Sequence, residues 1–131
     1  MIIAVDASAV VAIVLGEPEA SVLDACLQAA TEAYITPINV TEAGLALVLR
    51  NAHFRHDQFV RWLRSQRIVE HHIEGAEALA AYLAYGRGMH RARLNLGDCF
   101  AYALAKHLNA PLLYKGSDFL HTDVRSALQP T

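Results

Sequence analysis

Asp6, Glu42, Asp98 and Asp118 are far apart in a chain of 131 residues, yet each stands where a regular element begins or ends. Asp6 closes the apolar run Ile2-Ile3-Ala4-Val5, and Asp118 follows Leu112-Leu113-Tyr114 and a Lys115-Gly116-Ser117 turn. Glu42 lies in the second turn of a helix predicted from Pro37, and Asp98 lies at the third position of one predicted from Asn95. Carboxylates gathered at one point repel unless a counter-charge neutralises them. Hard oxygen donors without thiolate or imidazole suit Mg2+ or Mn2+ rather than zinc. An ion held in this way keeps water ligands, can lower the pKa of an attacking water and can stabilise charge on a phosphodiester. Each acid also has a local role open to it: helix cap for Asp6, capping-box acid for Asp98, turn residue for Asp118 and surface helix acid for Glu42.

The elements that must position these acids read as alternating strands and helices. Residues 2–5 lack polar alternation, as expected of a parallel strand buried on both faces. A helix over Ser8–Leu15 ends at Gly16, and Pro18 opens a second helix running to about Ala30. Ala33-Tyr34-Ile35 is a strand, and Thr36-Pro37 starts a helix to about Arg50. Helix 56–66, a weak strand at Ile68-Val69 and an alanine-rich helix 74–85 follow, the last stopped by Gly86-Arg87-Gly88. Asn95 caps the next helix, Asn109-Ala110-Pro111 ends it, Leu112-Leu113-Tyr114 is a strand, and a brief final strand is expected near Asp123-Val124. This order predicts an α/β fold, one domain over 1–131, with a mostly parallel central sheet flanked by helices. Ligands collect outside the carboxyl ends of strands in such sheets, which is where Asp6 and Asp118 fall.

Composition narrows the setting. Hydrophobic residues make up 54% and charged residues 18%, which favours a folded core over disorder. No apolar run reaches the roughly 18 residues of a membrane span, and no signal-peptide pattern opens the chain. Cys26 and Cys99 form no CxxC pair, which fits a reducing cytoplasmic environment, and Cys99 reads as an inert core thiol. Residues 1–49 contain no Lys or Arg, whereas residues 50–93 carry Arg50, Arg55, Arg61, Arg64, Arg67, Arg87, Arg91 and Arg93. An acidic first third beside a basic middle suggests a cation site next to an anion-binding surface. Arg87, Arg91 and Arg93 flank a glycine-containing loop just before Asp98 and are the candidates for holding substrate phosphates near the metal. The alternative is that the arginines pair with Glu70, Glu74 and Glu77.

Four stretches carry a family resemblance: Ile3-Ala4-Val5-Asp6-Ala7-Ser8-Ala9, Thr36-Pro37 through Glu42, Leu96-Gly97-Asp98-Cys99-Phe100-Ala101-Tyr102-Ala103-Leu104-Ala105, and Leu112-Leu113-Tyr114-Lys115-Gly116-Ser117-Asp118-Phe119. In this order they resemble the PIN-domain ribonucleases, and within them the VapC toxins of toxin–antitoxin pairs. The resemblance implies a metal-dependent endoribonuclease with Asp6, Glu42, Asp98 and Asp118 as catalytic and metal-binding acids, and Mg2+ or Mn2+ as cofactor. It further implies an RNA substrate, a cognate antitoxin and a homodimer. Asp123 resembles an accessory acid of many members, although its type and place favour a surface or capping role. Ser117 stands where an asparagine or aspartate is common.

Other readings fit less well. A phospho-acceptor domain would explain Lys115 after a strand but needs an acidic pair after the first strand, where Asp6 is alone. A haloacid-dehalogenase-type phosphatase needs a second aspartate at the position of Ser8. A non-catalytic PIN-like module binding RNA or protein is the remaining alternative, and it gives no reason for four converging carboxylates.

Overall fold

A computed structural model describes residues 1–128; the last three positions of the predicted 1–131 domain lie outside the described residues. The chain runs β1 (Ile2–Val5), α1 (Ala7–Leu15), α2 (Ala20–Ala29), β2 (Glu32–Ile35), α3 (Pro37–Arg50), α4 (His56–Ser65), β3 (Ile68–Glu70), α5 (Gly75–Tyr85), α6 (Leu96–Leu108) and β4 (Leu112–Leu113). The strands pair in parallel in the order β3-β2-β1-β4.

Strand β1 explains why its sequence is apolar without alternation. Ile3 and Val5 pack into one core with α1, α2, α3 and α4, while Ala4 turns to the other face and packs with α5 and α6. Helices therefore cover both faces, and Ile3, Ala4 and Val5 are all but fully buried. The order β3-β2-β1-β4 also fixes where a ligand would bind. After β1 the chain builds outward through β2 and β3, then returns to add β4 on the opposite side of β1. The strand order reverses between β1 and β4, and the crevice at such a switch point is the binding place in open parallel sheets. Ala4 pairs with Leu112 and Val5 with Leu113, which brings Asp6 to the start of the loop that carries Asp118.

Beyond shifts of a residue at several element ends, two expectations are corrected. Helix α2 begins at Ala20 rather than at Pro18, because residues 17–19 form a turn and Glu19 makes no side-chain cap. No strand forms at Asp123-Val124; the segment instead contacts the sheet through a single bridge between Leu112 and Ser126. A strand there would need its own ladder, whereas the Asp123 side chain is held by the Tyr102 hydroxyl and by Lys106 at 3.2 Å. Asp123 is thus the surface residue expected from its type. Among the described residues no helix is long and apolar enough to cross a membrane.

Candidate active site

Each acid is positioned by a local device at an element end. Asp6 caps α1, its Oδ2 accepting the Ser8 backbone N–H at 3.0 Å. Its other oxygen, Oδ1, is buried and is, among the described residues, the one buried side-chain polar atom without a hydrogen-bond partner. Burying a polar atom unpaired is costly, so a structure that keeps one calls for an explanation. The Ser8 hydroxyl accepts the Lys115 backbone N–H at 3.0 Å and so ties the turn after β1 to the loop that leads to Asp118. Ser8 satisfies a backbone group here, as small hydroxyls near strand ends usually do.

Glu42 is aimed by a buried polar relay. Thr36 caps α3 and donates to Asn39 Oδ1 at 2.6 Å, while Asn39 Nδ2 donates to the Gly97 carbonyl at 3.0 Å and to Glu42 Oε1 at 3.3 Å. Asn39 is fully buried, so this relay locks the first turn of α3 to the first turn of α6. Gly97 completes the arrangement: a Cβ at that position would overlap the Glu42 carboxylate. Asp98 forms the expected capping box, its backbone N–H donating to Asn95 Oδ1 at 2.8 Å and its Oδ2 accepting the Asn95 N–H at 3.1 Å. The capping role and a place in the site coexist.

Asp6, Glu42, Asp98 and Asp118 line one cavity of about 240 Å3, together with Ser8, Glu17, Arg50 and Lys115 among others. Burial is the first cause that raises the carboxyls of Asp6, Glu42 and Asp98 above their ordinary range, and neighbouring acids push the same way: Asp118 on Asp6, and Asp6 and Asp118 on Glu42. Asp98 is pushed up to about 7 by burial first, then by Asp6, Asp118 and Glu42. The mutual influence places all four acids within electrostatic reach of one another. They do not close to ligand contact: among the described residues no three His, Cys, Asp or Glu side chains meet closely enough to hold an ion as they stand. The donor chemistry still fits a hard divalent cation, since the set is all oxygen and includes the unpaired Asp6 Oδ1.

The PIN-domain family profile matches residues 3–125. The chain is 38% identical over 129 residues to VapC ribonuclease Mb0640 of Mycobacterium bovis, covering 96% of this chain and 98% of that protein. It is 40% identical over 128 residues to ribonuclease VapC42 of Mycobacterium tuberculosis, covering 94% and 97% respectively. A ribonuclease VapC of Mycolicibacterium smegmatis is 37% identical over 123 residues, covering 92% and 95%. The chain belongs to the PIN-domain family, among its VapC ribonucleases.

In this PIN domain the cationic side chains fall in more than one place. Arg87, Arg91 and Arg93 line a surface depression of their own with Gly88, Met89 and His90, and none of the four acids borders it. The loop is folded back on itself by Arg87 N–H to Leu94 O at 3.1 Å and Leu94 N–H to Tyr85 O at 3.0 Å. Among the described residues these three arginines form no salt bridge; Glu74 and Glu77 pair with His72 and His107 instead. The cavity's own cations are Arg50 and Lys115. Sequence reasoning also passed over Asn39 and Gly97. Their signals were faint but present: Asn39 lies three residues from both Thr36 and Glu42 on a helix, and Gly97 immediately precedes Asp98. Cys99 is buried and its thiol is pushed up to about 11 by burial, in agreement with an inert core residue.

Proposed function

We propose that this PIN domain is a magnesium- or manganese-dependent endoribonuclease and the toxin of a toxin–antitoxin pair. The observation that carries the metal is the unpaired, buried Oδ1 of Asp6 in a cavity shared by four mutually repelling carboxylates. Asp6, Glu42, Asp98 and Asp118 would hold the cation. When bound, it supplies Lewis-acid activation of a water and neutralises charge building on the phosphodiester. The chain's own residues do the positioning. Asp6 and Asp98 each commit one oxygen to a helix cap, which fixes the carboxylate plane, and Asn39 with Gly97 fixes Glu42. Asp118 sits exposed at the mouth, where it leaves room for a substrate phosphate. Holding reactants in place in this way is itself a large part of catalysis.

The arginine loop 86–94 supplies a second, electrostatic contribution: Arg87, Arg91 and Arg93 track the RNA backbone away from the cavity, while target choice comes from RNA shape and unstacked bases. The antitoxin is a small cytoplasmic partner that covers the acids with a basic side chain. A second copy of the chain packs on exposed apolar helix surface, for which Leu45, Val48 and Leu49 of α3 are available. A non-catalytic binding module is disfavoured by the cost of keeping the four acids together. Two measurements test the reading. RNA cleavage by the purified protein should require Mg2+ or Mn2+ and stop with chelator; chelator-insensitive cleavage sinks the metal assignment. Expression without the partner should arrest a bacterial host; harmless expression of an active enzyme removes the toxin assignment and leaves the nuclease.

A further inference from the structure

The acid cavity has two cations in its wall, and both are tethered to one carboxylate. Lys115 Nζ lies 3.2 Å from Glu17 Oε1, and Arg50 NH1 lies 3.7 Å from Glu17 Oε2. Lys115 also reaches Glu19 at 3.6 Å. Three parts of the fold deliver this group. Glu17 follows the left-handed Gly16 that ends α1, and its N–H is fixed to Ala12 O at 3.0 Å. Lys115 leaves β4 with its backbone held by Ser8. Arg50 ends α3 on the stripe Glu42–Ala46–Arg50, all three of which line the cavity. At 1.5 Å per residue the backbone of Arg50 lies roughly 12 Å along the helix from that of Glu42.

Stability does not account for the place of Arg50, which is more than half exposed, because exposed ion pairs add little to folding; the Lys115–Glu17 pair, more buried, also holds the turn in place. Nor does the tether exhaust the donors: a guanidinium has five N–H groups and an ammonium three. Catalysis at this site faces a plain difficulty, since a polyanion must enter a cavity walled by Asp6, Glu17, Glu42, Asp98 and Asp118. We propose that Arg50 and Lys115, tethered on the two oxygens of Glu17, form a phosphodiester-binding rim that takes the RNA backbone phosphates flanking the scissile bond. The assignment rests on the ribonuclease reading and deepens it. Glu17 is a positioning residue, and the two cations contact substrate.

The test measures binding of a single-stranded RNA by fluorescence anisotropy across a salt series, in full-length protein carrying Asp98→Asn to block cleavage. Each phosphate contact on single strands contributes about 0.7 to the slope of log affinity against log salt. Arg50→Gln, an exposed site that keeps the helix intact, should lower the slope by about 0.7, and Arg50→Gln with Lys115→Met by about 1.4. Arg61→Ala, on α4 beside Asp57 and outside the cavity wall, should keep the parent slope. A folded double variant with the parent slope and affinity overturns the assignment, as does an Arg50→Gln protein indistinguishable from its parent. Wild-type protein that cleaves RNA while the variants keep their slope leaves the ribonuclease reading standing; wild type that neither binds nor cleaves RNA removes that reading as well.

Discussion

In the acid cavity the segments carrying Asp6, Glu42 and Asp98 are fixed by side chains: Asp6 by its own cap, Glu42 by Asn39, and Asp98 by Asn95. In the arginine loop 86–94 the order is reversed. Its backbone is bonded closely, with His90 stacked edge-on to Tyr85 at 5.0 Å and the Tyr82 hydroxyl donating to Arg87 O, while the guanidinium groups form no ion pair among the described residues. The contrast matches what the proposed function asks of each charge. A carboxylate that serves chemistry must be placed to a fraction of an ångström, and burial with hydrogen bonding does that. A cation that holds a moving polyanion works through charge over a distance, and a solvated arginine on a firm loop suffices.

The sharpest way to break the contrast is to remove a fixed acid. Asp6→Asn or Asp98→Asn should abolish RNA cleavage, and by relieving repulsion should leave the metal-free fold at least as stable in thermal melts. An Asp6→Asn protein fully active at saturating magnesium would show that the cavity is not the catalytic centre.

The next effect separates placement from charge. Gly97→Ala adds a methyl group where the Glu42 carboxylate lies and changes no charge. Displacement of that acid by about 1 Å should cost roughly 10²-fold in kcat/KM. Circular dichroism should show the helices retained, and activity near wild type would mean that Glu42 needs no fixed position.

A smaller effect is expected in the pH dependence of stability. The Asp98 carboxyl is raised from 3.8 to about 7 in the fold, mainly by burial. A raised carboxyl favours folding while it stays protonated, so the stability it contributes is present below its unfolded pKa and is lost as pH climbs through its folded one. In chelator, the melting temperature should fall as pH rises from about 4 to about 7, and Asp98→Asn should flatten that fall. Added Mg2+ should stabilise most at the high-pH end, where the carboxylates are ionised. A melting profile in chelator with no such slope would contradict the burial of Asp98.

The mildest change belongs to the loop. Arg87→Ala with Arg91→Ala should weaken RNA binding across sequences and lower the salt slope by about 0.7 per lost contact, with metal binding nearly unchanged. A double mutant that keeps the parent slope would leave the loop without a substrate role.

Much of this molecule was decided by local sequence. Apolar residues 2–5 could satisfy both faces only at the centre of a parallel sheet, and Thr36-Pro37 and Asn95 with Asp98 define helix starts because capping depends on neighbours within four residues. The start of α3 at Pro37 follows from those rules alone. Where rules compete locally, the reading slipped: Pro18 suits a first turn, but no side chain caps it, and the helix waits until Ala20. The convergence of the acids, by contrast, came from the strand order that sets β4 beside β1. The same holds for the meeting of Glu17, Arg50 and Lys115, which lie in three different elements or loops. It holds also for the contact of Gly97 with Glu42, residues separated by one strand and two helices. Arg87, Arg91 and Arg93 stand close to Asp98 in the chain and yet line a different depression, on a loop closed on itself by backbone hydrogen bonds. Capping and periodicity act over a few residues and are written in order, whereas a site is a coincidence of distant residues in space, and only the packing of the sheet and its helices decides which of them meet.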